Sequence, residues 1–213
     1  MESNTPGERS WRRGWHQYGS TLLRWRGELS LRPGDCLVDL EAFTRPLKEW
    51  MTAGGLLGVQ AIHPLWEVGS HKLRQTSFLA VGPGSQLAAI VALHYGIGRV
   101  GLTEANPPWA TSLEEEMATR FHPIPSAMPE SEDQFQHLLL ACGGQAMDDQ
   151  EVARWLPSLA GMGQFTLSGF PLEDQEENLR RLGKRGFFLS SAGQSDGLAF
   201  LSGSLEHRRS WSS

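Results

Sequence analysis

Residues 78–107 read FLAVGPGSQLAAIVALHYGIGRVGLTEANP. A short apolar run, Phe78–Val81, meets Gly82, Pro83 and Gly84. An apolar segment at helical spacing follows, Ser85–Tyr95, and Gly96 closes it. A second run starts at Arg99 and stops at Glu104. The pattern predicts a strand, a tight turn, a helix and a second strand, one βαβ unit. A strand that turns directly into a helix aims backbone N–H groups and the positive helix end at the space above the sheet. Glycine there lets a ligand approach the backbone with no Cβ between. An acid ending the next strand, about 20 residues on, can accept both hydroxyls of a ribose. Glu104 lies 22 residues after Gly82. The same glycines also suit elements that only need to fit together, since many tight turns hold two glycines and bind nothing.

The pattern extends in both directions. Downstream, the sequence predicts a helix over Ser112–Thr119, strands over Phe121–Ile124 and Phe135–Cys142, and a helix over Asp148–Leu156. A strand over Gly163–Ser168 and a helix over Leu172–Leu182 follow, then a hairpin of RGFFLSS and GLAFLSG around AGQSD. Strands alternating with helices imply a parallel sheet with right-handed crossovers. The expected fold is α/β: a Rossmann-like, seven-stranded, mostly parallel sheet with an antiparallel C-terminal hairpin and helices on both faces. Upstream, RPGDCLVDL (32–40) reads as a turn and a strand, and TRPLKEWMTAGGLLGVQ (44–60) as a helix capped by Thr44 and weakened by Gly54 and Gly55. Residues 61–76 read as irregular, and residues 1–20 as loose.

Composition narrows the class. A chain of 213 residues fits one domain and buries a full core without staples. The expected division is a partly disordered aromatic and basic segment, 1–31, and an α/β domain, 32–213. Two distant cysteines, Cys36 and Cys142, fit a reduced compartment, and the expected location is the cytoplasm. No metal-ligand spacing, apolar leader or membrane-length run is present. The net charge of −5 disfavours a general nucleic-acid surface. Charge is uneven: residues 1–50 hold eight Lys/Arg, whereas residues 101–150 hold Arg120 against nine Asp/Glu. Trp11, Arg12, Arg13, Trp15, Trp25 and Arg26 make the basic end aromatic as well. That end is either a docking arm for a partner or a frayed tail beside a solvated element.

A dinucleotide fold needs G-x-G-x-x-G, and Leu87 stands where its third glycine belongs. A P-loop needs Lys-Ser/Thr after its glycines, and neither is present. What remains resembles the class I S-adenosylmethionine-dependent methyltransferases, which share the reversed last strand, the glycine turn and the acidic strand end. Within them, FTLSGFPLEDQEENLRRL and the hairpin resemble the C-terminal third of the ribosomal-protein lysine methyltransferases. FQHLLLACGG takes the place of that family's fourth strand, and RPGDCLVDLEAF that of the segment leading into its catalytic domain. The likeness spans roughly residues 32–205. It implies a methyltransferase acting on a protein side chain, with S-adenosylmethionine as cofactor. Gly82, Pro83, Gly84 and Ser85 would hold the methionine end, Glu104 the ribose, and Asn106 would lie near the adenosine.

The sequence departs from the family pattern at the chemistry. The first turn, D-x-G-x-G-x-G in the family, has Ala80 for the acid and Gln86 for the third glycine. The Asn-containing loop after the fourth strand reads Ala141-Cys142-Gly143-Gly144. The glycine- and threonine-rich loop before the first strand appears as Ala42–Pro46, without glycine. No catalytic base is identified. The alternative is therefore an inactive methyltransferase-fold protein, a binding or scaffold subunit using its Trp/Arg N-terminus. A third reading is a different nucleotide-binding α/β protein. Pro107 and Pro108 read as the end of a strand and the start of a helix. Cys142 reads as buried and structural, His137 as core, His94 as surface, Trp155 as packing and Glu114–Glu116 as a solvated helix start.

Overall fold

The computed structural model describes residues 11–205 apart from 12, 67–69, 104–106 and 125–133. Strands β1 (Trp15–Tyr18), β2 (Thr21–Arg24) and β3 (Cys36–Asp39) precede helices α1 (Thr44–Thr52), α2 (Gly55–Trp66) and the single turn α3 (Ser70–Leu73). Next come β4 (Ser77–Val81), α4 (Ser85–Tyr95), β5 (Arg99–Leu102), α5 (Glu115–Arg120) and β6 (Phe121–Pro123). The chain continues through β7 (Phe135–Ala141), α6 (Asp149–Trp155), β8 (Leu159–Pro171), α7 (Gln175–Gly183), β9 (Phe187–Ser195) and β10 (Leu198–Leu205).

Alternation along β4 builds the centre. Phe78 and Ala80 enter the core shared with α4, while Leu79 and Val81 enter the core under α6 and α7. A strand buried on both faces reads as a continuous apolar run, as FLAV does. The large sheet has the order β6-β5-β4-β7-β8-β10-β9. All neighbours from β6 to β8 are parallel, and β10 alone is reversed, antiparallel to both β8 and β9. The seven strands, the hairpin and the helices on both faces follow the sequence pattern. Among the described residues no helix is long and apolar enough to cross a membrane.

Helix α4 has no polar face. Leu87 to Leu93 are all buried, because the helix lies between the sheet and the α1–α2 pair. Gly96, left-handed at φ +87°, caps it by donating its N–H to Ala92 and Leu93 carbonyls.

Elsewhere the structure corrects the expectations. Residues 44–60 form two helices broken at Ala53–Gly54, with Gly54 at φ +83°. Thr44 is the first helical residue and Phe43 holds the cap position. Residues 61–66 continue α2 through Pro64, where irregular chain was expected. An interior proline costs about 3 kcal/mol, but α2 buries Leu57, Val59, Ala61 and Ile62, and a large apolar side chain returns roughly 1.5–3 kcal/mol. The segment 108–120 splits into a 3-10 turn, Pro108–Ser112, and the short α5. Strand β5 ends at Leu102, short of Glu104. Strand β8 runs past the expected Gly163–Ser168 at both ends, absorbing the Gly161–Gly163 bend through Met162 at φ +66°.

Residues 15–18, expected to be loose, form β1, which pairs antiparallel with β2; β2 pairs parallel with β3. Leu23, Trp25, Val38 and Leu40 all enter the core that α4 fills. Polar contacts stitch this small sheet to the helices. Tyr18 donates its hydroxyl to the Leu56 carbonyl at 2.6 Å, His63 Nε2 meets the Thr21 hydroxyl at 3.1 Å, and Tyr95 bonds the same hydroxyl.

Candidate functional site

In an open α/β sheet a ligand lies outside the carboxyl ends of the strands, where neighbouring connections diverge. Here that point falls between β4 and β7: β4 feeds α4 on one face and β7 feeds α6 on the other. The β4 register sets Ala80 beside Leu102 of β5, and Val81 beside Leu140 of β7. The ends of β4 and β5 therefore share one rim. Glu104 and Asn106 lie outside the described residues.

The structure brings Gly82, Pro83, Gly84 and Ser85 together in one turn and shows what each faces. Gly82 has φ +87°, and a Cβ there would stand 2.2 Å from the Ala141 carbonyl oxygen. Gly84 has φ +82°, and its missing Cβ faces Ala53 Cβ, Ala53 O and Trp50 O, each at 3.1 Å. Pro83 packs against Gly143, where an added Cβ would come within 2.7 Å of the proline ring. Ser85 turns its hydroxyl inward and donates to the Gly82 carbonyl at 2.7 Å. Gly82, Pro83 and Gly84 each meet another part of the chain, and Ser85 bonds within the turn.

The segment over the turn is the α1–α2 corner, Thr52–Gly55, not the Ala42–Pro46 stretch on which the sequence pattern places the family's loop. Ala53 and Gly54 fold back onto α1, donating to Glu49 and Met51 carbonyls at 3.0 and 3.1 Å. Below the corner the loop after β7 closes on the last residues of β8. Cys142 N donates to Ser168 O at 2.8 Å, and Gly144 N to Gly169 O at 2.6 Å. Nothing in the local pattern around Gly82 reveals this corner, which comes from thirty residues upstream. Its GG pair and the small Ala53 are its only traces in the sequence.

A cleft of about 230 Å³ remains beside the turn, lined among others by Gly82, Pro83, Cys142, Gln145, Asp148 and Glu151. Small-molecule sites run to roughly 300–1,000 Å³. A shallow depression beyond the corner, lined by Lys48, Glu49, Thr52, Ala53 and Gly143, reaches neither Gly82 nor Gly84. Ala80 is fully buried in apolar surroundings and offers no charge to a cationic cofactor. The Gln86 side-chain oxygen is enclosed by protein. As arranged, the described residues do not fit the methionine end of S-adenosylmethionine. Among them no three His, Cys, Asp or Glu side chains are grouped to hold a metal ion.

The titratable groups nearby are poor catalysts. Burial pushes the Cys142 thiol up to about 12, far from a nucleophile poised near neutrality. Iodoacetamide at neutral pH is therefore expected to label exposed Cys36 and spare Cys142; peptide mapping that finds Cys142 alkylated at a similar rate would refute the assignment. Burial pushes His137 down to about 4, leaving it neutral at pH 7. His94 is half-buried at the end of α4; burial lowers its pKa although Glu114 and Asp39 oppose the shift. Trp155 packs in the core and donates its indole N–H to Glu151 at 2.9 Å. Glu114, Glu115 and Glu116 are exposed at the start of α5.

The chain superposes on ribosomal protein L11 methylase from Lactobacillus delbrueckii subsp. bulgaricus with a TM-score of 0.60 and 16% identity, covering 89% of this chain and 97% of that one. It superposes on the putative methyltransferase yhhF from Escherichia coli with a TM-score of 0.51 and 13% identity, over 71% of this chain and 86% of that one. No protein-family profile and no curated relative matches the sequence. Likeness at such low identity carries architecture, and the architecture here is the class I S-adenosylmethionine-dependent methyltransferase fold.

Proposed function

We propose that this protein keeps the methyltransferase fold without the reaction and serves as a binding or scaffold subunit. One observation carries the reading: the open side of Gly84, in the turn where the resemblance would place the methionine end, faces Ala53 and the Trp50 carbonyl at 3.1 Å. The apolar burial of Ala80 and the protonated thiol of Cys142 point the same way. The contact we assign is the N-terminal Trp/Arg segment, for an acidic protein partner. Arg13 and Arg26 are exposed there, and the Arg26 guanidinium lies 4.8 Å over the Trp11 ring.

A second reading is a methyltransferase acting on a protein side chain, favoured by the cleft at the divergence of β4 and β7. Methyl transfer from an activated sulfonium depends mainly on positioning, so a missing base is no bar. This reading requires the Thr52–Gly55 corner to move off the turn. Calorimetric titration with S-adenosylmethionine and S-adenosylhomocysteine separates the two. The scaffold reading expects no saturable heat up to millimolar ligand. Saturable binding that Glu104→Ala abolishes would favour the enzyme instead.

A further inference from the structure

We infer that β9 is a self-pairing edge that joins two copies of this chain through one continuous sheet. β9 ends the seven-stranded sheet, and among the described residues it pairs only with β10. Natural sheets blunt long free edges with charge, proline or short length, because an open row of N–H and C=O groups recruits another strand. β9 has nine residues, FFLSSAGQS, with no charge and no proline. Most of it is exposed, including Phe188 at 53% and Leu189 at 44%. The register with β10 shifts once, leaving Ser190 as an extra residue whose hydroxyl donates to Ser202 O at 3.0 Å. Among the described residues this bulge is the only edge device, and it leaves Ser191–Ser195 in regular register.

Charge at the two ends of β9 selects the partner. Lys184 and Arg185 precede the strand and Asp196 follows it. Antiparallel pairing of two β9 strands about Ser191 brings Asp196 of each copy to the end of the other strand where exposed Lys184 lies, while Arg185 already meets Asp149 of its own chain at 3.3 Å. Both ends of the interface are thus complementary, and the uncharged middle opposes no like charges. A two-fold contact of this kind is closed, so it stops at a dimer and does not grow into a fibre. The paired edges run for about 30 Å at the rise of a strand.

Sedimentation equilibrium across the micromolar range tests the inference, with amide exchange read on β9. The wild-type mass is expected to double with concentration as the β9 amides become protected. Ser191→Lys places two ammonium groups face to face on the two-fold axis at an exposed position. It is expected to weaken association at least about tenfold, or ~1.4 kcal/mol, while circular dichroism stays unchanged. Asp196→Asn keeps the left-handed turn residue, removes both end charges and is expected to weaken association about threefold, an effect that fades in high salt. It decides the matter should the lysine variant fold poorly. A wild type that remains a single chain throughout overturns the inference, as does a Ser191→Lys or Asp196→Asn chain that associates as tightly as wild type.

Discussion

Gly82→Ala is expected to cost the fold about 2–5 kcal/mol, a large share of the roughly 5–15 kcal/mol that holds a domain together. Two effects combine. Alanine at φ +87° carries about 1–2 kcal/mol of backbone strain. Its Cβ would also stand 2.2 Å from the Ala141 carbonyl oxygen, forcing the ends of β4 and β7 apart at a further cost of about 1–3 kcal/mol. Gly144→Ala is the control. Its φ is +85° and nothing lies within 4 Å of the new Cβ, so strain alone remains, about 1–2 kcal/mol. Urea unfolding should separate the two midpoints with little change in slope. Equal midpoints would show that the close approach of β4 and β7 contributes nothing, and that the glycine serves only its own dihedral angle.

The second large effect is expected at Trp25. Its side chain is fully buried in the α4 core, its indole N–H donates to the Trp11 carbonyl at 3.3 Å, and its ring stacks on Trp11 at 6.4 Å. Trp25→Ala should lose about 3–5 kcal/mol. The location of the loss is informative. Leu23 and Trp25 share their core with residues from α1, α2 and α4, so the whole chain should unfold in one transition at lower urea. If residues 1–31 are an appendage, the variant instead frees β1 and β2 to exchange while the seven-stranded sheet keeps its midpoint.

These two positions mark how far the sequence is legible. The βαβ unit is local: a continuous apolar run in β4, an apolar α4 and a glycine at each end fix it within thirty residues. The reversed β10 is equally local, because the turn around Gly197 joins it to β9. The site was harder to read. Gly82 and Gly84 signal that something comes close to the backbone, but local pattern cannot say whether that is a ligand or more protein. Ala141 and Ala53, which the structure places there, are reached only through tertiary packing. The N-terminal strands were missed for a related reason. WHQY and TLLR are four residues each and mix polar with apolar side chains, so burial against α2 and α4, and not propensity, makes them strands.

The small sheet has a consequence for synthesis. Thr21 finds its Tyr95 partner 74 residues later in the chain. At roughly 5–20 residues per second on the ribosome, the first strands wait several seconds before the surface that buries them exists. Until then Leu22, Leu23 and Trp25 are bare nascent chain, a natural landing place for a chaperone, and their docking is set to close the molecule, not to start it.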